Sequence, residues 1–551
     1  MDTASYGMNC QFNHEIPMRD GVILRGNLYT PEGHGPWPVL LLRSVFRKDH
    51  LSRAFSQYDP AFFVKHGYAV YMQDVRGLGA SDGEFDRFTA DGPDGYDTIE
   101  YLAAQPWCTG RVGMMGSYYA GYLQMMAAAE NPPHLSAIVP MQTSVSINRD
   151  CDNRGFMFFS HIGWNMSRLC NRLMDGRYPK DITAEWLPKL QAWLKDYPQS
   201  QLSVWPARNM PVLQHTPFPQ IKAYFRHLVE GYDNFELLHK EGRDMDVSKL
   251  RTPAFYIAGW YDSSRTPLLD HCMAQRKAGV DSRVLIAPWH GADQPARPDG
   301  ALESGVSSVD LQDELLQWFD HWLKDAPTPK TAPVRYYNIT DGSAYAGEVW
   351  PSEKQEIHIL YLSSHGLLAS QPDEQGADTC RHDPKVPLPF RSYGRNTIHR
   401  DCKDDRILCY LSEPLAKPLT LSGLPKAQVY LSSTARDADV MLSLCEEAPD
   451  GTTFAICDGA TRARYRDGWE PKPLENGEIV ALDILLGHVE YTIPAGHRLF
   501  IQLSNSAFPK YDVNHGTAAR PADDADWVVS TQTIHFGGDC PSAVMLPVLS
   551  Q

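Results

Sequence analysis

The sequence predicts an α/β chain that carries a separate all-β part at its C-terminal end. Three observations lead there. Short runs of large apolar residues in the first third alternate with helix-like stretches. A glycine-bracketed turn joins one of those runs to a helix. From about residue 351 onward helical periodicity fades, and short β-rich segments separated by Gly, Pro and Asp take over.

The runs Pro38–Leu42 and Tyr68–Met72 read as strands buried on both faces of a parallel sheet, because they do not alternate with polar residues. Helical pattern follows over Asp97–Ala104 and stops ahead of Pro106; Val112–Met115 is the next strand, and Tyr122–Glu130 is rich in strong helix formers. Between Asn148 and Lys249 the pattern changes. Ala184–Leu194 has apolar residues three and four apart, with similar stretches around it, which predicts a helical insertion serving as a cap. Strand signals return at Ala254–Ala258 and Arg283–Ala287, followed by a helix over Asp310–Leu323. The segments Ala427–Leu431, Val440–Leu444 and Arg498–Leu503 predict a β-sandwich or jelly roll.

At 551 residues the chain is too long for one core, and a content of 43% hydrophobic and 21% charged residues is that of a globular protein. A net charge of -16 disfavours a polyanionic partner, so nucleic acid is not expected. No apolar run approaches the ~18 residues of a membrane span, and the N-terminal stretch lacks the basic start and apolar core of a secretory signal. The eleven cysteines show no metal-type spacing and read as mostly free, buried thiols of a reducing compartment, with the cytoplasm as the default. No metal cluster, phosphate loop or cofactor motif is present, which leaves a small-molecule substrate as the expected partner. Oligomeric state stays open, a homodimer being one option.

The segment Gly113–Gly121, Gly-Met-Met-Gly-Ser-Tyr-Tyr-Ala-Gly, has the strand, tight turn and helix context of the nucleophile elbow of an α/β-hydrolase. Its tip, bracketed by Gly116 and Gly121, is Tyr118, and Ser117 stands one position early. Further stretches, Met18–Gly21, Asp74–Gly83, Gln105–Cys108, Gly259–Asp262, Ala287–Trp289 and Phe508–Asp512, together resemble the cocaine esterase family. That group includes X-prolyl dipeptidyl peptidases, cephalosporin acylases and α-amino acid ester hydrolases. The resemblance runs nearly end to end. It implies an α/β-hydrolase core (1–147 and 250–350) with an inserted helical cap (148–249) and a C-terminal jelly roll (351–551) closing the cleft.

The resemblance also assigns roles. The family motif resembles Gly-x-Ser-Tyr-x-Gly, so its nucleophilic serine falls on Tyr118, and its acid falls on Asp262. Its histidine usually follows Pro-Trp-x, whereas here Gly291 takes that place and His290 comes one residue early. Its oxyanion-binding tyrosine falls on Phe46. A serine triad needs a hydroxyl deprotonated by an imidazole that a carboxylate orients, so three altered positions put ordinary acyl transfer in question.

Each candidate has a functional and a plainer reading. Tyr118 is either a plug or a working phenol, whose ordinary pKa of ~10 falls beside a cation or a helix N-terminus. Ser117 replaces the missing nucleophile only if the elbow slides by one residue. The backbone N–H of Tyr119, next after the tip, stays an oxyanion donor whatever the tip residue. His290 is a base or a loop histidine, and Asp262 a pocket carboxylate or a turn cap. Arg47, beside Phe46, holds a substrate carboxylate or is an exposed arginine. Asp74 and Arg76 read as a structural turn tied to backbone, and His321 as a surface or packing residue. Three functions follow: a non-covalent acid–base enzyme of lyase, isomerase or cyclase type, an ester or amide hydrolase using Ser117 or an activated water, and a non-catalytic binding protein.

Overall fold

The structure, a computed structural model, describes residues 7–45, 47–49, 59–85, 90–143, 155–157, 160–174, 178–197, 205–210, 216–234, 236, 246–288, 311–351, 354–390 and 403–550. The chain divides into two compact units, Met1–Asp150 with Leu238–Glu353, and Cys151–Leu237 with Lys354–Gln551.

The first unit is built on a ten-stranded sheet: β1 (Met8–Pro17), β2 (Ile23–Pro31), β3 (Trp37–Ser44), β4 (Ala69–Asp74), β5 (Cys108–Ser117), β6 (Leu135–Met141), β7 (Ala254–Gly259), β8 (Ser282–Ala287), β9 (Val334–Tyr337) and β10 (Ala344–Gly347). Their spatial order is β1-β2-β4-β3-β5-β6-β7-β8-β9-β10. From β4 to β9 neighbours run parallel, and antiparallel β1, β2 and β10 flank them. Every residue of β4, β7 and β8 is buried, which accounts for the apolar runs Ala69–Met72, Ala254–Ala258 and Val284–Ala287 within them.

Helices α1 (Pro60–Lys65), α2 (Asp91–Ala103) and α3 (Tyr119–Ala129) connect the early strands. In α1, Asp59 caps the N-terminus through Ala61 N–H and Pro60 sits in the first turn. The insertion adds α4 (Ser160–Met174), α5 (Lys180–Lys195) and α6 (Pro219–Arg226), and α7 (Arg265–Lys277) and α8 (Leu311–Lys324) complete the set used below. Along α8, Leu311, Leu315, Trp318, Phe319 and Leu323 form one buried stripe against Val139, Phe255 and Leu285. Full burial of such side chains contributes roughly 1.5–3 kcal/mol each. On the same helix, His321 Nδ1 bonds to Ala326 O at 2.8 Å, a packing role.

The second unit joins the inserted helices to a thirteen-stranded all-β jelly-roll domain. Ile162, Met166, Leu169 and Leu173 recur at helical spacing along α4 and share a core with Trp186 and Leu190 of α5 and with Phe508, Val513 and Ala522 of the β domain. A buried guanidinium fastens the two parts. Arg462 pairs with Asp439 through Nε (2.8 Å) and Nη2 (2.9 Å), with Asp512 at 3.1 Å, and donates from Nη1 to Gly155 O at 2.6 Å. Asp512 in turn accepts from Met157 N–H at 2.9 Å, and its own N–H donates to Met157 O at 2.8 Å. The Phe508–Asp512 stretch thus joins helical insertion to β domain.

Cys170, Cys272, Cys380 and Cys445 are free and buried, as expected. Two cysteines are exceptions to the mostly free, buried thiols read from the sequence: Cys10 lies in the exposed edge strand β1, and Cys409 is disulfide-bonded. Among the described residues no helix is long and apolar enough to cross a membrane.

Removing one partner of a buried charge group strands the others in a low-dielectric interior. Arg462→Met is therefore expected to destabilise the second unit by roughly 3–5 kcal/mol, seen as a lowered denaturation midpoint of the transition that includes it.

Candidate functional site

The parallel strands end along one edge of the sheet. Ser44 of β3 pairs with Asp74 of β4, Ser117 of β5 with Met141 of β6, Met141 with Ile257 of β7, and Gly259 of β7 with Ala287 of β8. Leu41 of β3 lies opposite Met114 of β5, so Ser44 is level with Ser117. In open α/β sheets this carboxyl edge is where ligands bind.

Tyr118 is the single residue between β5 and α3, and its backbone is at φ 55, ψ -120. That conformation costs a residue with a side chain ~1–3 kcal/mol and persists only where its surroundings impose it. Here Tyr118 N–H donates to Met141 O at 3.0 Å, and Tyr118 O accepts from Tyr122 N–H at 3.0 Å. Gln124, fully buried, donates to Gly116 O and Ala120 O, both at 3.1 Å, and accepts from Val139 N–H at 2.9 Å. The glycines are steric necessities. A Cβ on Gly116, whose φ is +155, would meet the Ala120 Cβ at 2.6 Å, and one on Gly121 would meet Thr143 Cγ2 at 2.5 Å.

Ser117 is the last residue of β5, buried at 6% exposure. Tyr119 opens α3, and its N–H is among the first-turn donors that have no acceptor within the helix. Its side chain is engaged: the hydroxyl donates to Asp91 Oδ2 at 2.6 Å, and the ring packs on Phe85 and Tyr122.

Asp262 follows β7 and is buried, with Oδ2 lacking a hydrogen-bond partner among the described residues. Burial pushes its carboxyl up to about 7, against the opposing pull of Arg265 and the Ser263 backbone. Arg47, after β3, is at φ 72, and its buried Nε has no hydrogen-bond partner among the described residues. This is a half-buried side chain and not the exposed arginine of the plainer reading. Phe46 and His290 lie outside the described residues.

The Asp74–Gly83 stretch braces the loop after β3. Asp74 Oδ1 accepts from Lys48 N–H at 2.7 Å and Oδ2 from Ala80 N–H at 2.9 Å. Arg76 departs from the expected backbone ties: it forms ion pairs with Asp94 at 2.6 Å and Asp20 at 2.7 Å. Sequence reasoning missed Arg43 and Asp91. Arg43, wholly buried at the end of β3, donates from Nη1 to Asp91 O at 2.6 Å and from Nε to Gln73 Oε1 at 3.1 Å. A charged residue closing an otherwise apolar strand was the available signal.

Two outcomes follow from this geometry. Gly121→Ala should destabilise the first unit by ~1–3 kcal/mol through overpacking at Thr143, measurable by denaturant titration. For Asp262 the folded-state pKa is raised, so the stability from its neutral form is complete below ~4 and is lost as pH rises through about 7. Asp262→Asn should remove this decline, which is on the order of 4 kcal/mol at most, in stability measured from pH 4 to 8.

Comparison with known proteins accords with this architecture. Residues 20–292 match the model of the X-Pro dipeptidyl-peptidase (S15 family), and residues 328–545 that of the X-Pro dipeptidyl-peptidase C-terminal non-catalytic domain. The chain is 31% identical to the cocaine esterase of Rhodococcus sp. (strain MB1 Bresler), over 98% of both proteins. Among solved structures it is similar to an aminopeptidase from a marine sediment Thaumarchaeota archaeon (TM-score 0.80, 21% identity, 100% of this chain and 97% of that one). It is likewise similar to an α-amino acid ester hydrolase (TM-score 0.75, 23% identity, 100% and 98%). An elbow between β5 and α3, a carboxylate after β7 and a jelly-roll domain therefore occur in a chain that belongs to the cocaine esterase and X-Pro dipeptidyl-peptidase (CocE/NonD) family of α/β-hydrolases.

Proposed function

We propose that this chain is an enzyme of the cocaine esterase fold that acts on a small carbonyl or acyl compound without forming a serine acyl-enzyme, by acid–base chemistry of the lyase, isomerase or cyclase type. One observation carries the reading: Tyr118, not Ser117, occupies the strained turn between β5 and α3. A phenol there donates a proton to, or hydrogen-bonds, an oxygen that gains charge as the substrate enolises, and Tyr119 N–H offers a second donor. Asp262, pushed up to about 7 by burial, holds a proton near neutrality and supplies a second acid–base group. His290 is the third candidate for proton transfer.

A second reading is hydrolysis of an ester or amide through Ser117 or through a water activated by His290 and Asp262. It is favoured by the relatives, whose names are those of esterases and peptidases. The two part on covalent chemistry. Under the first, a fluorophosphonate leaves Ser117 unlabelled and p-nitrophenyl acyl esters are not hydrolysed above background. Tyr118→Phe then lowers kcat on the compound that is turned over by about 10²–10⁴. Stoichiometric labelling at Ser117 would establish the second reading. Turnover unmoved by substitution of Tyr118 removes any acid–base role for the phenol, and a protein with no turnover at all is the non-catalytic binder.

A further inference from the structure

The loop after β3 carries two adjacent cations that are treated very differently. Lys48 is buried, and its ammonium is neutralised by Asp49 at 3.1 Å and Asp74 at 3.4 Å. Among the described residues Arg47 has no such ion pair, and its Nε is shielded from water without an acceptor. Asp49 feels its charge, but that carboxylate already accepts from Asn27 Nδ2 at 2.8 Å and Lys48 Nζ at 3.1 Å. A buried N–H of a guanidinium is costly to leave unsatisfied, and an anionic ligand relieves that cost.

The backbone gives an independent indication. Arg47 is held at φ 72, in the left-handed region that a residue with a Cβ disfavours. Neighbouring bonds enforce it: Lys48 N–H is tied to the buried Asp74 carboxylate at 2.7 Å, and Val75 N–H to Ser44 O at 3.1 Å. Strain imposed from outside in this way is a mark of function. Position supplies a third. β3 has β4, its successor in sequence, on one side and β5 on the other, so strand order reverses between β3 and β5. The crevice beyond the carboxyl ends at such a reversal is where open α/β sheets take their ligands. Arg47 follows β3 there, and Tyr118 follows β5 at the same level.

We propose that Arg47 receives a carboxylate of the substrate, so that the substrate class is a carbonyl or acyl compound bearing a second, anionic carboxyl group. This rests on the placement of the reacting carbonyl at the elbow described above, and it names the substrate class for that site. Paired N–H···O bonds from the guanidinium fix the carboxylate, and through it the carbonyl, beside Tyr118.

The test is isothermal titration of the full chain with benzoate, phenylacetate and succinate, and with the corresponding primary amides. A carboxylate that binds the wild type while its amide does not, and that binds Arg47→Gly about tenfold or more weakly, supports the assignment. Glycine tolerates φ 72, so this variant should melt at the same or a higher temperature, which a merely structural arginine would not allow. Should it fail to fold, Arg47→Lys decides, with binding weakened about threefold or more in support because an ammonium lacks the paired geometry. Failure of every carboxylate to bind the wild type, or equal binding by wild type and variants, overturns the proposal. Carboxylate binding retained in Tyr118→Phe keeps this inference standing even if the acid–base reading fails.

Discussion

One backbone bend governs the first unit, the turn at Tyr118. A strained φ of +55 on a bulky residue survives because four neighbours leave it no alternative. β6 takes its N–H, α3 takes its carbonyl, Gln124 ties Gly116 to Ala120 and to Val139, and the space beside Gly121 is filled by Thr143. The bend is thus a property of strand register and glycine placement, not of the residue at the tip. A scaffold made this way holds a tyrosine at the tip of the bend and presents the following N–H at the head of a helix.

The polar groups around this edge fall into two sorts. Some serve architecture: Asp74 binds two backbone N–H groups, Arg43 holds the start of α2 through Nη1, and Tyr119 anchors to Asp91. Others are buried with atoms that have no hydrogen-bond partner among the described residues, such as Asp262 Oδ2 and Arg47 Nε. Interiors seldom tolerate the second sort without a reason. Both lie on segments that follow carboxyl ends of parallel strands, on either side of the elbow in strand order, which is where chemistry on a bound ligand would need them.

In the second unit the same physics is used for fastening. Arg462 meets two carboxylates and a carbonyl from segments far apart in sequence, with Gly155 and Arg462 themselves separated by 307 positions. Arg520 repeats the device at its own edge, pairing with Asp233 at 2.7 Å and bonding Val229 O at 2.7 Å. The helical insertion therefore belongs structurally with the C-terminal β domain, although in sequence it interrupts the α/β core.

Hydrophobic period and motif alone determined the element types, the jelly-roll end and the elbow between β5 and α3, because each depends on residues close together in the chain. Helix α2 was read from Asp97 and begins at Asp91: the Asp-Gly-Pro-Asp-Gly segment looks like a turn. Tertiary contact overrides it, since Gly95 allows α2 to approach Ala127 and the Arg43 guanidinium more closely than a Cβ would permit. Strands β1 and β2 were not anticipated, and β1 is exposed at nearly every position, so it carries no burial pattern to read. Only the folded chain decided that Asp262 is desolvated, that Arg47 is half-buried on a strained backbone, and that Arg76 pairs with carboxylates. Each of these depends on groups distant in sequence that set local dielectric and geometry, and no local pattern encodes them.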